Sequence, residues 1–292
     1  MVNLSPRSFA LQLAMTPGIG GRTITRVLAR NSLLNRSPED FLGFGPEVWL
    51  EEYRLSAKTV AAMLAQREST LDPISALETR LNKLGVTLVT AVDAHYPAAL
   101  ESMDPDPPGV LFLYGNIKLL DKRTFSVLSS RNANPSELDH MERLAEEGVL
   151  AGEVLVAGHD RPEYQRTAIV PLRWGSPRIL CLDRGLFKVL GEDLKDEAFR
   201  AERLWRYQFD PQTDLAVSPF RPEADFVGVN NRVRDRLVGG LSKRIDFVKV
   251  EPGGNMASLL KLALKAGRAV RISDTSLDYQ TYSAMGATLI SA

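Results

Sequence analysis

From residue 86 onward, short apolar runs alternate with stretches of helical periodicity, and this alternation constrains the fold more than any other feature of the chain. Val86-Thr-Leu-Val-Thr is the first β-rich run. Phe125-Ser-Val-Leu-Ser, Val154-Leu-Val-Ala, Ile179-Leu-Cys-Leu, Leu215-Ala-Val, Phe247-Val-Lys-Val and Ala269-Val-Arg-Ile follow. Between them lie helical patterns at 136–147, 164–174, 195–205, 232–241 and 256–266. A strand buried on both faces reads as a continuous apolar run. Strands of that kind alternating with helices predict an α/β fold, Rossmann-like, with a mainly parallel sheet and helices on both faces.

The first 85 residues read differently. Residues 8–31 form helix, turn and helix, broken at Thr16-Pro-Gly-Ile-Gly-Gly21, and short helical pieces follow at 46–53, 56–66 and 74–84. Gly85 is a plausible helix stop. The expected division is therefore a small all-α domain at 1–85 and the Rossmann-like domain at 86–292. The glycines at 18, 20 and 21 allow a tight turn with exposed N–H groups at a helix start, which can hold a phosphate. That is the sense of a helix-hairpin-helix or SAM-like element; a plain helical hairpin with a glycine turn is the other reading.

Composition excludes several classes. Lysine and arginine balance aspartate and glutamate at 36 each, so the chain does not coat polyanions over its whole surface. A local basic site remains open, because binding depends on where cations cluster. The one cysteine, Cys181, rules out an intrachain disulfide and fits a reducing compartment. No apolar run approaches the ~18–20 residues of a membrane span, and no leader pattern opens the chain. Cytoplasmic location without membrane contact is the expectation.

In an open parallel sheet, ligands sit beyond the carboxyl ends of the strands. Ser129-Ser130-Arg131 follows one strand, Ala157-Gly158-His159-Asp160-Arg161 a second, and Glu251-Pro-Gly253-Gly254-Asn255 a third. Hydroxyls, a guanidinium and glycine turns before helices suit an anion. Arg232, Arg234 and Arg236 form the densest basic cluster. Arg232 and Arg236, four apart, are expected to share a helix face. No catalytic set, metal-ligand spacing or cofactor motif is present; His159 beside Asp160 could serve as a base or as a buried structural group.

Several of these stretches, in order, resemble the DprA/Smf family of DNA-processing proteins. His95-Tyr-Pro-Ala-Ala-Leu and Asp106-Pro-Pro-Gly-Val-Leu-Phe-Leu-Tyr-Gly-Asn are similar to that family's domain entry. Val127-Leu-Ser-Ser-Arg resembles its Val-Gly-Ser-Arg signature, 226–242 its Phe-Pro-x-Arg-Asn-Arg block, and Gly254-Asn255-Met256 its Ser-Gly-Ser-Leu element. Ser129 stands where the family has glycine, and Asp235 where it has asparagine between two arginines. No winged helix is recognised at the C-terminal end.

The resemblance implies a single-stranded-DNA-binding, recombination-mediator-like protein without turnover, acting in recombinase loading, DNA uptake or on mobile elements. It implies a RecA-type recombinase as partner and a homodimer. Carried over by position, the implied phosphate contacts are Ser130, Arg131, Arg234, Arg236, Gly254 and Asn255, with Phe226 for base stacking; Ser129, Gly158, Arg232 and Gly253, from the strand-end turns and the basic cluster, complete the candidate set. The alternative is a nucleotide sensor or phosphoribohydrolase-like enzyme of the lysine-decarboxylase-like Rossmann family, whose Pro-Gly-Gly turn recurs at 252–254 without the glutamate that follows it there. A third reading is a scaffold that has kept the fold and lost its ligands.

Overall fold

The computed structural model describes residues 4–68 and 73–291. Two compact units divide the chain. One runs to Tyr96 and includes Asp106–Leu113; the other takes Pro97–Pro105 and continues from Tyr114.

The first unit holds helices α1 (Pro6–Met15), α2 (Gly21–Leu33), α3 (Pro38–Gly43), α4 (Ala57–Glu68) and α5 (Pro73–Lys83), with a single π-turn at Val48–Glu52. Strand β1 (Val86–Thr90) and most of β2 (Val110–Gly115) also belong to it. Serine caps set the helix starts. The Ser5 hydroxyl accepts from Ser8 N at 3.0 Å before Pro6, and Ser37 and Asp40 form a reciprocal box around Pro38. Phe9, Phe41, Trp49 and Tyr53 build the core, with the Phe9 and Phe41 rings edge-on at 5.4 Å.

The second unit contains α6 (Ala98–Met103), β3 (Thr124–Ser129), α7 (Pro135–Leu150), β4 (Val154–Ala157), α8 (Pro162–Ala168), α9 (Val170–Arg173), β5 (Arg178–Cys181) and α10 (Leu186–Leu190). It continues with β6 (Leu215–Ser218), α11 (Asn230–Leu241), β7 (Arg244–Lys249), α12 (Asn255–Lys265), β8 (Ala269–Ser273), α13 (Tyr279–Ala284) and β9 (Thr288–Ile290). Within this unit the strands lie in the order β6-β5-β4-β3-β7-β8-β9, and every pairing is parallel. From β3 the chain winds outward through β4; from β7 it winds the other way through β8. Right-handed crossovers then place α7 and α12 on opposite faces. The α/β expectation holds, and the switch point lies between β3 and β7.

Two expected elements come out differently. The helix at 164–174 is split into α8 and α9, with Pro171 in the first turn of the second piece. The helix at 195–205 is reduced to a 3-10 turn at Arg200–Leu204, because Glu197 and Glu202 are drawn inward to Arg178. β2 and β9 were not anticipated as strands.

Arg178 is fully buried at the start of β5. Its Nε donates to Asp214 at 2.8 Å, Nη2 to Glu197 at 3.1 Å and Nη1 to the Ala168 carbonyl at 2.9 Å, and Nη1 also pairs with Glu202. Arg206 closes the group, donating to Glu197 at 2.7 Å and to Asp214 at 2.5 Å. Three carboxylates thus face two guanidiniums, and a proton on one acid restores neutrality. Burial pushes the Glu202 carboxyl up to about 8; Arg178 opposes the rise and Glu197 adds to it.

A raised acid pKa means that folding takes up a proton between the unfolded value of 4.5 and about 8. The cluster's contribution is complete below that window and is lost as pH rises through it. Stability measured by urea unfolding from pH 5 to 8.5 is expected to decline across the window, and Glu202→Gln should flatten that part of the profile.

No described helix is long and apolar enough to cross a membrane.

Candidate functional site

A cavity of about 340 Å³ opens at the switch point. The end of β3 supplies Ser129, Ser130 and Arg131 to its wall. Gly228, Asn231, Arg232 and Asp235 come from the loop before α11 and from its first turns. Glu251, Gly254, Asn255 and Met256 come from the turn between β7 and α12, and Arg161 from the start of α8.

Two turns are locked together at its base. Ser130 N donates to the Lys249 carbonyl at 2.8 Å, and Glu251 N donates to the Ser130 hydroxyl at 2.9 Å. The β3–β7 register shifts at Leu128/Ser129, which turns the chain into the cavity. The left-handed residue of that turn is Asn132 (φ 59°), not Ser129, so position 129 does not require glycine. Gly253 does occupy the left-handed region (φ 72°) and carries the second turn into α12. It is absent from the wall, whereas Gly254 is part of it.

The helix starts differ in what they offer. At α7, Asn134 accepts from Glu137 N at 2.9 Å and its own N–H donates to the Glu137 carboxylate at 2.7 Å. The start of α7 is therefore closed by its own capping box. Gly254, the N-cap of α12, supplies no side chain. Gly254, Asn255 and Met256 place the start of α12, the positive end of its dipole, at the cavity wall.

The basic cluster is sorted by burial. Arg131 and Arg232 are exposed at the cavity and join no ion pair among the described residues. Arg161 also lines it, 3.6 Å from Asp160. Arg234, expected to grip phosphate, is fully buried. It stacks on Tyr164 at 4.5 Å, donates to Asp235 at 2.7 Å and pairs with Asp160, so it neutralises acids instead of meeting solvent. Arg236 lies one helical turn beyond Arg232 and is held 3.2 Å from the buried Asp104, away from the cavity. Sharing a face with Arg232 did not bring it to the site.

Asp235 is the hub of this arrangement. Its Oδ1 accepts from Tyr164 Oη at 2.7 Å as well as from Arg234, and its Oδ2 accepts from Asn255 Nδ2 at 2.5 Å. It ties α8, α11 and α12 together, and Arg234 compensates its charge. Gly158 serves the same hub: a Cβ there would meet the Tyr164 ring at 2.8 Å, so this glycine makes room for packing and not for a ligand.

Phe226 is 41% exposed in the loop before α11, with the Arg184 guanidinium 5.2 Å from its ring centre. Val227 and Val229 beside it are also exposed. His159 is buried, 3.6 Å from Asp183, and burial pushes it down to about 4, with Asp183 opposing and Arg234 assisting. It is neutral at pH 7 and absent from the cavity wall. Burial pushes the Cys181 thiol up, which leaves it protonated and unreactive. In the first unit, a Cβ at Gly21 would meet Gly109 N at 2.7 Å. The chain's own backbone covers the start of α2, so the glycine there serves close packing.

The family model described as DNA recombination-mediator protein A matches residues 87–161. Over that stretch the chain is similar to the DprA family. Among solved structures, DprA from Streptococcus pneumoniae superposes with a TM-score of 0.73 at 18% identity, covering 97% of this chain and 94% of that one. DprA from Helicobacter pylori, described for its single-stranded-DNA binding mode, superposes at 0.54 and 19%, covering 70% and 90%. No curated protein matches the chain in sequence. Against the DprA pattern, the two departures at 129 and 235 are both accommodated: Ser129 by ordinary backbone, Asp235 by a buried arginine and two neutral donors. Arg161, Asn231 and Gly228 are wall residues that the motifs did not single out. Only Arg161 carried a signal, its position directly after a strand-end turn.

Proposed function

We propose that this protein binds single-stranded DNA at the switch-point cavity and acts as a recombination-mediator-like DNA-processing protein without turnover. One observation carries the reading. The uncapped start of α12 faces a cavity that also presents Arg131 and Arg232, both exposed and outside any described ion pair. Backbone N–H groups at a helix start and guanidinium forks are phosphate ligands. They read no base, so these phosphate contacts themselves carry no sequence preference.

Phe226 and its apolar neighbours form an exposed ledge beside Gly228 of the wall. Stacking on such a ledge needs unpaired bases, which is the basis for preferring single strands. The hydrolase reading gains no support: Leu260, fully buried, stands where the phosphoribohydrolase motif has its glutamate. A homodimer and a RecA-type recombinase partner are carried by the family resemblance alone.

The reading is tested by fluorescence anisotropy with a labelled oligo-dT of a few tens of bases and with a duplex of equal length. Oligo-dT should bind at least tenfold more tightly. Equal affinity would remove the stacking ledge from the account, and no binding to either would remove the reading.

A further inference from the structure

We infer that Glu251 makes the cavity prefer guanine among the bases of a bound strand; this rests on the single-stranded-DNA reading above. The cavity, about 340 Å³, lies near the lower end of the ~300–1,000 Å³ range of small-ligand sites. Its wall carries two carboxylates as well as its arginines. A carboxylate repels phosphate, so within a strand it must meet a donor. Deoxyribose inside a strand has no hydroxyl to give, which leaves the N–H groups of the bases.

Asp235 already receives three hydrogen bonds, from Tyr164, Arg234 and Asn255. Glu251 is different. Its side chain is 54% exposed, and its ion-pair partner Lys249 stands at 3.7 Å, beyond hydrogen-bond reach. Lys249 donates instead to the Asn132 carbonyl at 3.0 Å. The backbone of Glu251 is fixed on both sides: its N–H donates to Ser130 at 2.9 Å, and its carbonyl accepts from Gly254 N at 3.1 Å. A carboxylate held, among the described residues, only by a long ion pair to Lys249 thus sits on a rigid turn at the wall.

Two carboxylate oxygens are best matched by two adjacent parallel N–H donors. Guanine offers such a pair in N1–H and the N2 amino group. Thymine has one imino N–H between two carbonyls that repel a carboxylate. Adenine and cytosine each set an amino group beside a ring acceptor.

The experiment compares an oligo-dT with the same strand carrying one central dG, deoxyinosine, dA or dC, for the intact protein, Glu251→Gln and Glu251→Asp. A bidentate pair predicts about tenfold tighter binding of the dG strand than of oligo-dT. Deoxyinosine, which lacks the amino group, should fall between them. Glu251→Gln should bind the dG and dT strands equally, and Glu251→Asp should keep a reduced preference. Equal affinity of the intact protein for dG and dT strands, or a preference that survives in Glu251→Gln, overturns the assignment and leaves DNA binding standing. Failure to bind any strand overturns the assignment together with the reading beneath it.

Discussion

Replacing Arg178 by alanine is expected to cost about 3–5 kcal/mol of stability, because it strips the central cation from a buried group of three acids. Asp214, Glu197 and Glu202 all have side chains with 0% exposure, and Arg206 alone would remain to face them. An ion pair of this kind adds little net stability over an apolar core, but breaking it from one side leaves charge stranded without solvent. Domains are held by only ~5–15 kcal/mol in total, so the loss is a large share. The cluster also ties the Ala168 carbonyl at the end of α8 to the starts of β5 and β6. Urea unfolding at pH 7 checks the result, and the deficit should shrink at pH 5, where the stranded acids can take up protons. A variant with the wild-type midpoint would mean that the acids find another cation or are not buried together.

The second large effect concerns binding. Arg131→Ala with Arg232→Ala should weaken oligo-dT binding by on the order of a hundredfold, roughly tenfold for each charge-assisted contact. The dependence on salt should flatten as well. Each phosphate neutralised on a single strand contributes about 0.7 to the slope of log K against log salt, so two lost contacts remove about 1.4. Both side chains are exposed and unpaired among the described residues, so the fold should not suffer. Arg234→Ala would be a misleading variant, because it leaves Asp160 and Asp235 without their shared cation and damages the hub before it reports on DNA. Binding unchanged in the double variant would place the strand elsewhere.

The sheet was legible because its strands are buried on both faces: Val154–Ala157 and Leu215–Ser218 are apolar almost throughout, so no partner needed to be known. β9 was not, because three edge residues with little burial leave no pattern. The helix expected at 195–205 failed because an amphipathic spacing cannot reveal that Glu197 and Glu202 turn inward to an arginine of a different strand.

The site divides in the same way. Strand-end turns with serine, arginine and glycine were readable at 129–131 and 251–255, since their chemistry is local. Which arginine of 232, 234 and 236 lines the cavity was not. Asp160 captures Arg234 and Asp104 captures Arg236, and those contacts span 74 and 132 positions in the chain. Asp235 likewise reads as an intrusive charge in sequence, and only the fold brings Arg234, Tyr164 and Asn255 around it.

Hydrogen–deuterium exchange of the protein with and without saturating oligo-dT tests the central claim most directly. A strand seated at the switch point should slow exchange at 129–132 and at 254–258, where the first amides of α12 lack a side-chain cap. Protection confined to other segments, with these two turns exchanging as in the free protein, would contradict it.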